Sequence, residues 1–359
     1  MNEYKGVIHI HSRASDGDKS FSEIIWEAAN LGLDFLIPGD HNAIDPICLM
    51  PEHRLLIVPG LEYTPKYKEI YDDKGSITGY ESGPNHLLAI GVNQAGSVDH
   101  QIPQNNIDQT LAAGGLAFIA HPADYWLPWN DWTVERYTGL EIWTFLSDWA
   151  ESSFNSPSPL FAYRNPDAVL QGPPEQALRR WDNECQHRRI VGIGSVDMHS
   201  KPQNVGGVQR EVFPPEVELS SIRTHILSFD PLPADSNKAI QQLVSAIGDG
   251  HCYTALDSLF PSDGFRFCVE TNKRVFIMGD ELWPDPREPL TLLVQLPQAA
   301  EVRVLKDGHI YHKAHCTNLS LIIHGETGVF RIETRIKGHP WIFSNPIYVR
   351  CAKQLNKNE

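Results

Sequence analysis

Nine side chains of this 359-residue sequence are candidate metal ligands, because they are of types that bind divalent metal ions in proteins and because they recur in short motifs. Six are histidines and three are carboxylates: His9, His11, Asp16, His41, Glu62, His86, His121, Asp197 and His199. Imidazole and carboxylate ligands suit hard or borderline cations. The set is too large for a single tetrahedral ion, so we expect two or three ions that share a bridging carboxylate. Such a centre clamps a scissile bond and makes water nucleophilic near neutral pH, which is the chemistry of a metal-dependent hydrolase.

Short apolar runs must position these ligands. Seven runs predict buried strands: Val7–His11, Phe35–Asp40, Leu55–Glu62, His86–Val92, Leu116–His121, Leu140–Trp143 and Ile190–Val196. Apart from His86, which opens its strand, each candidate ligand lies at or just beyond the C-terminal end of a run. In a parallel barrel these ends share one face, and active sites are built there.

Helical patterns alternate with these strands, which predicts an α/β barrel over residues 1–255. Ser20-Phe21-Ser22-Glu23 is typical of a capping box that begins a helix. Further helices are predicted at Asn106–Ala113, Glu175–His187 and Asn237–Gly248. From residue 256 the sequence changes to short β-rich runs separated by Gly, Pro, Asp and Asn. Residues 256–359 are therefore expected to form a small, immunoglobulin-like β-sandwich.

Composition limits the classes of partner. The formal net charge of −15 argues against a nucleic-acid backbone as the main partner, so we expect a small-molecule substrate. The six cysteines are scattered without a CxxC pair, which fits neither a disulfide framework nor a thiolate zinc site. Neither a secretory signal nor an apolar run of membrane length is evident, so a cytoplasmic protein is expected. The sequence carries no pattern that indicates an oligomeric state.

Taken together, the motifs resemble one known superfamily. They are His9-Ile10-His11 with Ser15-Asp16-Gly17, Gly39-Asp40-His41-Asn42, Gly60-Leu61-Glu62, His86, His121-Pro122 and Asp197-Met198-His199. This combination, over about residues 4–255, is similar to the polymerase-and-histidinol-phosphatase (PHP) superfamily. The tail, with Gly328–Glu333 and His339–Tyr348, is similar to the β-domain that follows the barrel in stand-alone bacterial predicted phosphoesterases of that superfamily.

The resemblance implies a distorted (β/α)7 barrel of the PHP fold, similar to a TIM barrel, and three metal sites. The first would use His9, His11, Glu62 and Asp197. The second would use the bridging Glu62 with His86 and His121. The third would use Asp16, His41 and His199. Many members have a histidine where this chain has Asp16, so a carboxylate there either binds the third ion or has another role. Zinc, manganese and iron all suit the ligands.

The leading functional prediction is a phosphoesterase that cleaves a small phosphorylated molecule through a metal-bridged hydroxide. Glu62, Asp197 and His199 are the candidate catalytic residues, and His199 is one possible proton donor to the leaving group. Two alternatives stay open: a carbamate, amide or ester hydrolase of the same superfamily, and a non-catalytic PHP scaffold. No GxSxG motif occurs, so a serine nucleophile is not supported.

Three cations close to the ligands in sequence, Arg13, Lys19 and Lys201, are the candidates for binding the substrate phosphate. Asp40, next to His41, is a candidate partner for an imidazole, or else a residue that caps a loop. Trp126, Trp129 and Trp132 follow His121 and either wall a pocket or pack on the barrel rim.

Overall fold

The structure is a computed structural model that describes residues 1–46, 55–72, 77–205 and 208–351. It is a mixed α/β structure with one 13-stranded sheet, one five-stranded sheet and two two-stranded hairpins. The first half contains β1 (Asn2–Ile10), α1 (Phe21–Asn30), β2 (Phe35–Pro38), β3 (Leu56–Ile57), β4 (Gly60–Tyr63), β5 (Lys68–Tyr71), β6 (Ile77–Ser82), β7 (Leu87–Ile90), α2 (Pro103–Ala112), β8 (Leu116–Ile119), β9 (Gly139–Thr144), α3 (Phe145–Ser153), α4 (Pro159–Arg164), α5 (Pro166–Val169) and α6 (Glu175–His187). The remainder contains β10 (Val191–Ser195), β11 (Lys201–Val205), β12 (Val208–Val212), α7 (Pro215–Ser220), β13 (Ile222–Ser228), α8 (Ser236–Gly248), β14 (Cys252–Leu256), β15 (Arg266–Glu270), β16 (Val275–Ile277), β17 (Glu281–Leu282), β18 (Pro289–Lys306), β19 (His309–His324), β20 (Gly328–Ile336), β21 (His339–Ser344) and β22 (Ile347–Val349).

The four helices that the sequence predicts are present as α1, α2, α6 and α8, whereas α3, α4, α5 and α7 were not predicted. The α1 helix begins with the expected capping box: the Ser20 side chain accepts a hydrogen bond from Glu23 N, and the Glu23 side chain accepts one from Ser20 N. Its apolar residues face the core, and the chain leaves the helix at Gly32, whose φ of +66° favours glycine. The predicted bounds of α6 are confirmed, while α2 and α8 begin one to three residues earlier than predicted.

Strand direction differs from the parallel barrel that the sequence favours. In the five-stranded sheet β9 runs parallel to β8 and β10, but β7 is antiparallel to both β4 and β8. The β4–β7 connection contains the β5–β6 hairpin and no helix in its described part, so the chain returns in the opposite direction. Consequently the N-terminal end of β7, next to His86, lies beside the C-terminal ends of β4 and β8. Ala120 N donates to His86 O at 3.1 Å at this edge.

The two large sheets meet at the strand ends that carry the candidate ligands. The last part of β1 binds the chain beyond β10, because Met198 N donates to His9 O (3.1 Å) and His11 N donates to Met198 O (2.9 Å). On the other side, Glu62 N donates to the carbonyl oxygen of Asp40 at 3.2 Å, which joins the end of β2 to β4. The folding of the core therefore brings distant parts of the sequence to one edge.

The C-terminal strands continue the larger sheet, because β14 pairs with β21. Arg331 on β20 also forms a buried bidentate ion pair with Asp182 on α6, at 2.6 and 2.8 Å. In place of the short strands expected here, β18 and β19 span 18 and 16 residues, with a bulge between Gln295 and Ala300. The domain boundary at residues 255 and 256 stays a prediction.

Two expectations concern cysteines and membranes. Cys185, Cys252, Cys268, Cys316 and Cys351 are free thiols, and Cys48 lies outside the described residues. In the described part of the chain, each helix is too short or too polar to cross a membrane.

Candidate metal centre

The Glu62 carboxylate lies at the centre of the predicted ligands and is buried. Its oxygen atoms lie within 4.0 Å of ring nitrogens of five histidines: His9, His11, His41, His86 and His121. The shortest distances are 2.8 Å to His41 Nδ1, 3.0 Å to His86 Nδ1 and 3.2 Å to His121 Nε2. A carboxylate with imidazoles on both of its oxygen atoms has the geometry of a bridging ligand.

Asp197 forms a second group with the histidines of β1. Its Oδ1 lies 3.0 Å from His11 Nε2, 3.4 Å from His9 Nε2 and 3.7 Å from His199 Nδ1. The chain reaches this position two residues beyond β10, through the hydrogen bonds that join β10 to β1.

Asp16 forms the third group, at the most exposed side of the centre. Its Oδ1 lies 3.3 Å from His199 Nε2, 3.5 Å from His41 Nε2 and 3.6 Å from His11 Nδ1. The structure thus brings all nine predicted ligands together in three adjoining groups. His11 belongs to two of these groups, whereas the resemblance assigns it to the first site alone.

The backbone is strained where it carries these ligands. His9, His121 and Asp197 have φ values of +68°, +25° and +54°. Asn42, Asn85 and Ser200, each next to a ligand histidine, also have positive φ. Non-glycine residues seldom adopt this conformation, and where they do they are concentrated at functional sites. The strain therefore supports a binding role for this edge independently of the side-chain types.

A bulge in β1 gives His9 its direction. The pairing of β1 with β2 shifts between Ile8 and Ile10, so the regular alternation of side chains along a strand is interrupted at His9. The two rings nevertheless lie 5.0 Å apart. Gly39 leaves room for the His9 ring, because a Cβ at that position would lie 2.5 Å from His9 Cδ2. Any side chain at Gly39 would displace this ligand.

Sequence reasoning missed a buried carboxylate on β9 that supports two of the ligands. Glu141 accepts a hydrogen bond from His9 Nδ1 at 2.8 Å and another from the backbone N of His121 at 2.8 Å. It therefore sets the orientation of His9 so that Nε2 faces the centre. The available signal was an acidic residue inside an otherwise apolar strand, Gly139–Thr144.

Thr64 was also missed. Its Oγ1 lies 2.6 Å from His41 Nδ1 and donates to Glu62 Oε2 at 3.2 Å. The hydroxyl thus holds two ligands in register from the residue that directly follows β4.

The expectation that Asp40 orients an imidazole is wrong. Its carboxylate instead accepts hydrogen bonds from Ser12 N (2.7 Å), Ser12 Oγ (2.8 Å) and Ser15 Oγ (2.6 Å). Asp40 therefore shapes the loop that presents Asp16. The alternative weighed from the sequence, a carboxylate that caps a loop, describes this role.

Burial and neighbouring charges shift the pKa values of the cluster. Burial alone would raise the pKa of Glu62, but the imidazoles around it, His86 and His9 foremost, hold that pKa well below its usual range. Burial would lower the pKa of His121, yet Glu62 raises it to about 9. Burial is the main reason that the pKa of His11 falls to about 3. Divalent ions bound here would displace protons from imidazoles such as His121, whose protonated form the carboxylate of Glu62 favours.

The centre fits divalent ions on the chemistry of its unpaired atoms. Buried polar atoms without a hydrogen-bond partner are rare in proteins and indicate a role. Among the described residues, six such atoms lie here: His9 Nε2, His11 Nδ1, His11 Nε2, Asp16 Oδ1, His86 Nε2 and His121 Nδ1. Within each of the three groups the ligand atoms lie within 4.8 Å of one another.

The predicted substrate-binding cations occupy different positions. The Lys201 ammonium contacts the Asp16 carboxylate at the exposed side of the centre. Arg13 Nε donates to the carbonyl oxygen of Asp18 at 2.9 Å, and Lys19 Nζ lies 2.7 Å from a Glu211 oxygen. Of the three cations, the structure therefore brings Lys201 to the cluster, and the binding roles of Arg13 and Lys19 stay predictions.

The three tryptophans that follow His121 in sequence lie in different environments. Trp129 is buried in the core, and Trp132 packs under the Arg180 guanidinium at 4.2 Å from its ring centroid. Trp126 is 41% exposed and lies 5.3 Å from the ring of Tyr125. Packing therefore describes the first two, although Trp129 lies in the core and not on the rim, while Trp126 is part of an exposed aromatic surface.

Comparison with known proteins found no matching family model and no matching curated protein. Among solved structures, the chain is similar to a two-domain protein from Bacteroides vulgatus containing a predicted PHP-like metal-dependent phosphoesterase. The TM-score is 0.44 at 12% identity, over 96% of this chain and 95% of that one. It is also similar to an amidohydrolase from Chromobacterium violaceum, with a TM-score of 0.33 at 14% identity, over 58% of this chain and 92% of that one.

Proposed function

We propose that this chain is a metal-dependent hydrolase of the PHP superfamily, and that it cleaves a phosphoester in a small molecule. The observation that carries the proposal is the buried Glu62 carboxylate among five imidazoles. Four of these imidazoles have a buried ring nitrogen without a hydrogen-bond partner. In this proposal the ring of strands is a variant of the (β/α)7 PHP barrel, and residues 256–359 form an immunoglobulin-like accessory domain. The partner is a small substrate, with neither nucleic acid nor a membrane involved.

Each group would hold one ion. His9, His11 and Asp197 form the first site, Glu62, His86 and His121 the second, and Asp16, His41 and His199 the third, with Glu62 shared between the first two. When bound, two or three zinc, manganese or iron ions would polarise the scissile ester and make water nucleophilic near neutral pH. The protein contributes fixed ligand directions, which Glu141, Thr64 and the bulge at His9 maintain.

The remaining steps use side chains at the exposed side of the centre. The Lys201 ammonium, beside Asp16, is placed to neutralise a phosphoryl oxygen. His199 has a side chain that is 17% exposed, and although burial opposes it, Asp197 and Asp16 raise its pKa. Protonated His199 can therefore donate to the departing alkoxide when the third ion is absent.

One observation favours the carbamate or amide alternative. Tyr125 and Trp126, on the segment that follows His121, form an exposed aromatic row with Phe154, which directly follows α3. The ring centroids are 5.3 Å apart for Tyr125 and Trp126 and 5.9 Å apart for Trp126 and Phe154. Asp124 N donates to His121 O at 2.9 Å, which ties this row to a ligand. An aromatic row suits an aryl substituent more than a compact phosphate.

The test combines metal content with turnover. Purified protein is subjected to elemental analysis, and hydrolysis of p-nitrophenyl phosphate and of phenyl carbamate is measured before and after chelation. Two or three ions per chain, together with a phosphatase activity that chelation abolishes, would support the proposal. The Glu62→Gln variant should lose the bound metal and the activity. As a matched control, Glu333→Gln removes another buried carboxylate, in the C-terminal strands, and should keep them. Turnover of the carbamate alone would favour the carbamate or amide hydrolase. Absence of bound metal after reconstitution would favour a non-catalytic scaffold.

A further inference from the structure

The Asp16 carboxylate, at the exposed side of the metal centre, faces two kinds of partner. Its Oδ1 is buried, lacks a hydrogen-bond partner among the described residues, and lies 3.3 to 3.6 Å from ring nitrogens of His199, His41 and His11. Its Oδ2 contacts the Lys201 ammonium instead. One oxygen is therefore directed at the third group of ligands, while the other is neutralised by a cation of the protein itself.

This lysine contact distinguishes the third group from the other two. In the part of the chain that the structure describes, the charged partners of Glu62 and of Asp197 are histidines. Exposure differs in the same sense, because the Glu62 side chain is 1% exposed, whereas those of Asp16 and Lys201 are 38% and 42% exposed. Both an incoming ion and a mobile lysine side chain can therefore reach Asp16 from solvent.

Backbone contacts hold Lys201 beside Asp16. Asp18 N donates to His199 O at 2.9 Å, which joins the loop of Asp16 to the chain that follows β10. Lys201 comes two residues after His199 and begins β11, where it pairs with Val212. The ammonium then reaches the carboxylate along a flexible four-carbon stem. The position of Lys201 along the chain is thus fixed, while its charged group is free to move by rotation about the side-chain bonds.

Charge makes a third ion and this ammonium compete. An ion held by Asp16, His41 and His199 would use the carboxylate that Lys201 already neutralises. Positive charges a few ångströms apart near a protein surface repel each other by several times the thermal energy. The single negative charge of Asp16 also stabilises an ion less while an ammonium shares it. Tight binding of an ion here therefore requires Lys201 to leave Asp16, and that departure costs binding free energy.

We propose that Lys201 competes with the third metal ion for Asp16, so that the centre holds two ions tightly and exchanges the third. This inference rests on the proposed function and specifies how the ions are held at the same site. With two ions bound, the Lys201 ammonium neutralises Asp16. Binding of a third ion displaces the ammonium, and because linkage is reciprocal, Lys201 weakens that ion by the same factor as the ion weakens the contact of Lys201 with Asp16.

The first experiment counts ions and measures their affinities without catalysis. Metal-free protein is titrated with Mn²⁺, and the free ion is followed by its electron paramagnetic resonance signal. In the wild type, a third ion should bind at least about tenfold more weakly than the first two. Lys201→Met removes the ammonium and keeps an unbranched side chain, so it should tighten the third ion at least about tenfold and leave the first two nearly unchanged. Lys201→Arg keeps the charge and should keep the weak third ion.

A matched control removes a similar contact far from the centre. Lys306 Nζ lies 2.6 Å from a Glu326 oxygen in the C-terminal strands, with a half-buried ammonium and carboxylate. Lys306→Met should therefore bind all three ions like the wild type. Circular dichroism verifies that each variant is folded before the titration.

The second experiment measures the displacement of the ammonium directly. Metal-loaded wild type is treated with acetic anhydride, and mass spectrometry follows acetylation of Lys201 and Lys306. Raising Mn²⁺ from the level that fills two sites to the level that fills three should increase acetylation of Lys201, because the ammonium leaves Asp16. Acetylation of Lys306 should stay constant.

An unchanged affinity for the third ion in Lys201→Met would overturn the proposal, as would equal tightening of all three ions, which would indicate a general effect of charge. Binding of only two ions in every variant would also overturn it, and so would acetylation of Lys201 that does not rise with Mn²⁺. Absence of any bound ion in the wild type and in all variants would instead refute the proposed function.

Discussion

Replacing Glu141 by glutamine tests whether the metal centre depends on a residue that is not itself a ligand. The carboxylate accepts two hydrogen bonds, from His9 Nδ1 and from His121 N, both at 2.8 Å. Glutamine keeps one acceptor oxygen and presents an NH2 donor to the other partner, so one of the two bonds is lost. A hydrogen bond to a charged group contributes about 1.5 to 3 kcal/mol. The free energy of unfolding of metal-free protein should fall by about this amount.

The same change should weaken metal binding. Loss of a carboxylate that orients a metal-binding histidine typically lowers metal affinity by about 10- to 100-fold, and tenfold corresponds to about 1.4 kcal/mol. The expected loss of metal-binding free energy is therefore similar in size to the free energy of the lost hydrogen bond. Competition with a chromogenic chelator measures the affinity, and circular dichroism verifies the fold of Glu141→Gln.

The control for Glu141→Gln is Glu333→Gln. Glu333 is also buried and accepts from Arg331 Nη1 at 2.7 Å, but it lies in the C-terminal strands. This variant should lose stability and keep metal affinity. An unchanged metal affinity in Glu141→Gln would refute the reasoning. Equal losses of metal affinity in Glu141→Gln and Glu333→Gln would show that the effect comes from a general loss of stability.

Three further outcomes are expected. Asp40→Ala removes three hydrogen bonds from the loop that presents Asp16, so elemental analysis should find one ion fewer per chain; unchanged stoichiometry would contradict this. Burial opposes protonation of His225, but its two carboxylate partners raise its pKa to about 9, above an unfolded value of about 6.5. Its contribution, about 3 kcal/mol, is therefore complete below about pH 6.5 and lost as the pH rises through about 9; urea unfolding of chelated protein should show this slope in the wild type and not in His225→Gln. Burial raises the pKa of Glu218 well above its usual range, so its carboxyl costs stability increasingly as the pH rises above the unfolded value. Glu218→Gln should therefore be more stable than the wild type at pH 8, with the difference vanishing near pH 4, and equal stability at pH 8 would show that Glu218 is ionised there.

Local patterns in the sequence predicted the position of the ligands along the chain. His41 and Asp197 follow short apolar runs, which the sequence predicts as strands and which form β2 and β10. The capping box at Ser20 depends only on residues within one turn and is present as predicted. These features are determined by residues close in sequence, so a single sequence was sufficient for them.

Features that depend on distant partners were not predictable in this way. The direction of β7 follows from the connection before it, whose described residues form a hairpin and no helix. The bulge at His9 follows from the pairing of β1 with β2. Glu141 is a supporting residue only because His9 and His121, far away in sequence, meet at its carboxylate. In the C-terminal strands, short runs were expected, but β18 is one long strand, and Pro297 lies in its bulge between Gln295 and Ala300.

The same contacts close the fold and assemble the centre. The backbone hydrogen bonds of Met198 with His9 and His11 join the two sheets. They fix these two histidine ligands and also the residue between the ligands Asp197 and His199. The Glu62–Asp40 backbone hydrogen bond does the same on the opposite side, where Glu62 is the shared ligand and Asp40 shapes the loop of Asp16. Positive φ values at His9, His121 and Asp197 are unfavourable in isolation and persist only because these contacts hold them. Accordingly, the contacts that close the fold also bring nine candidate ligands, which are spread over about 190 residues of sequence, to one edge of the structure.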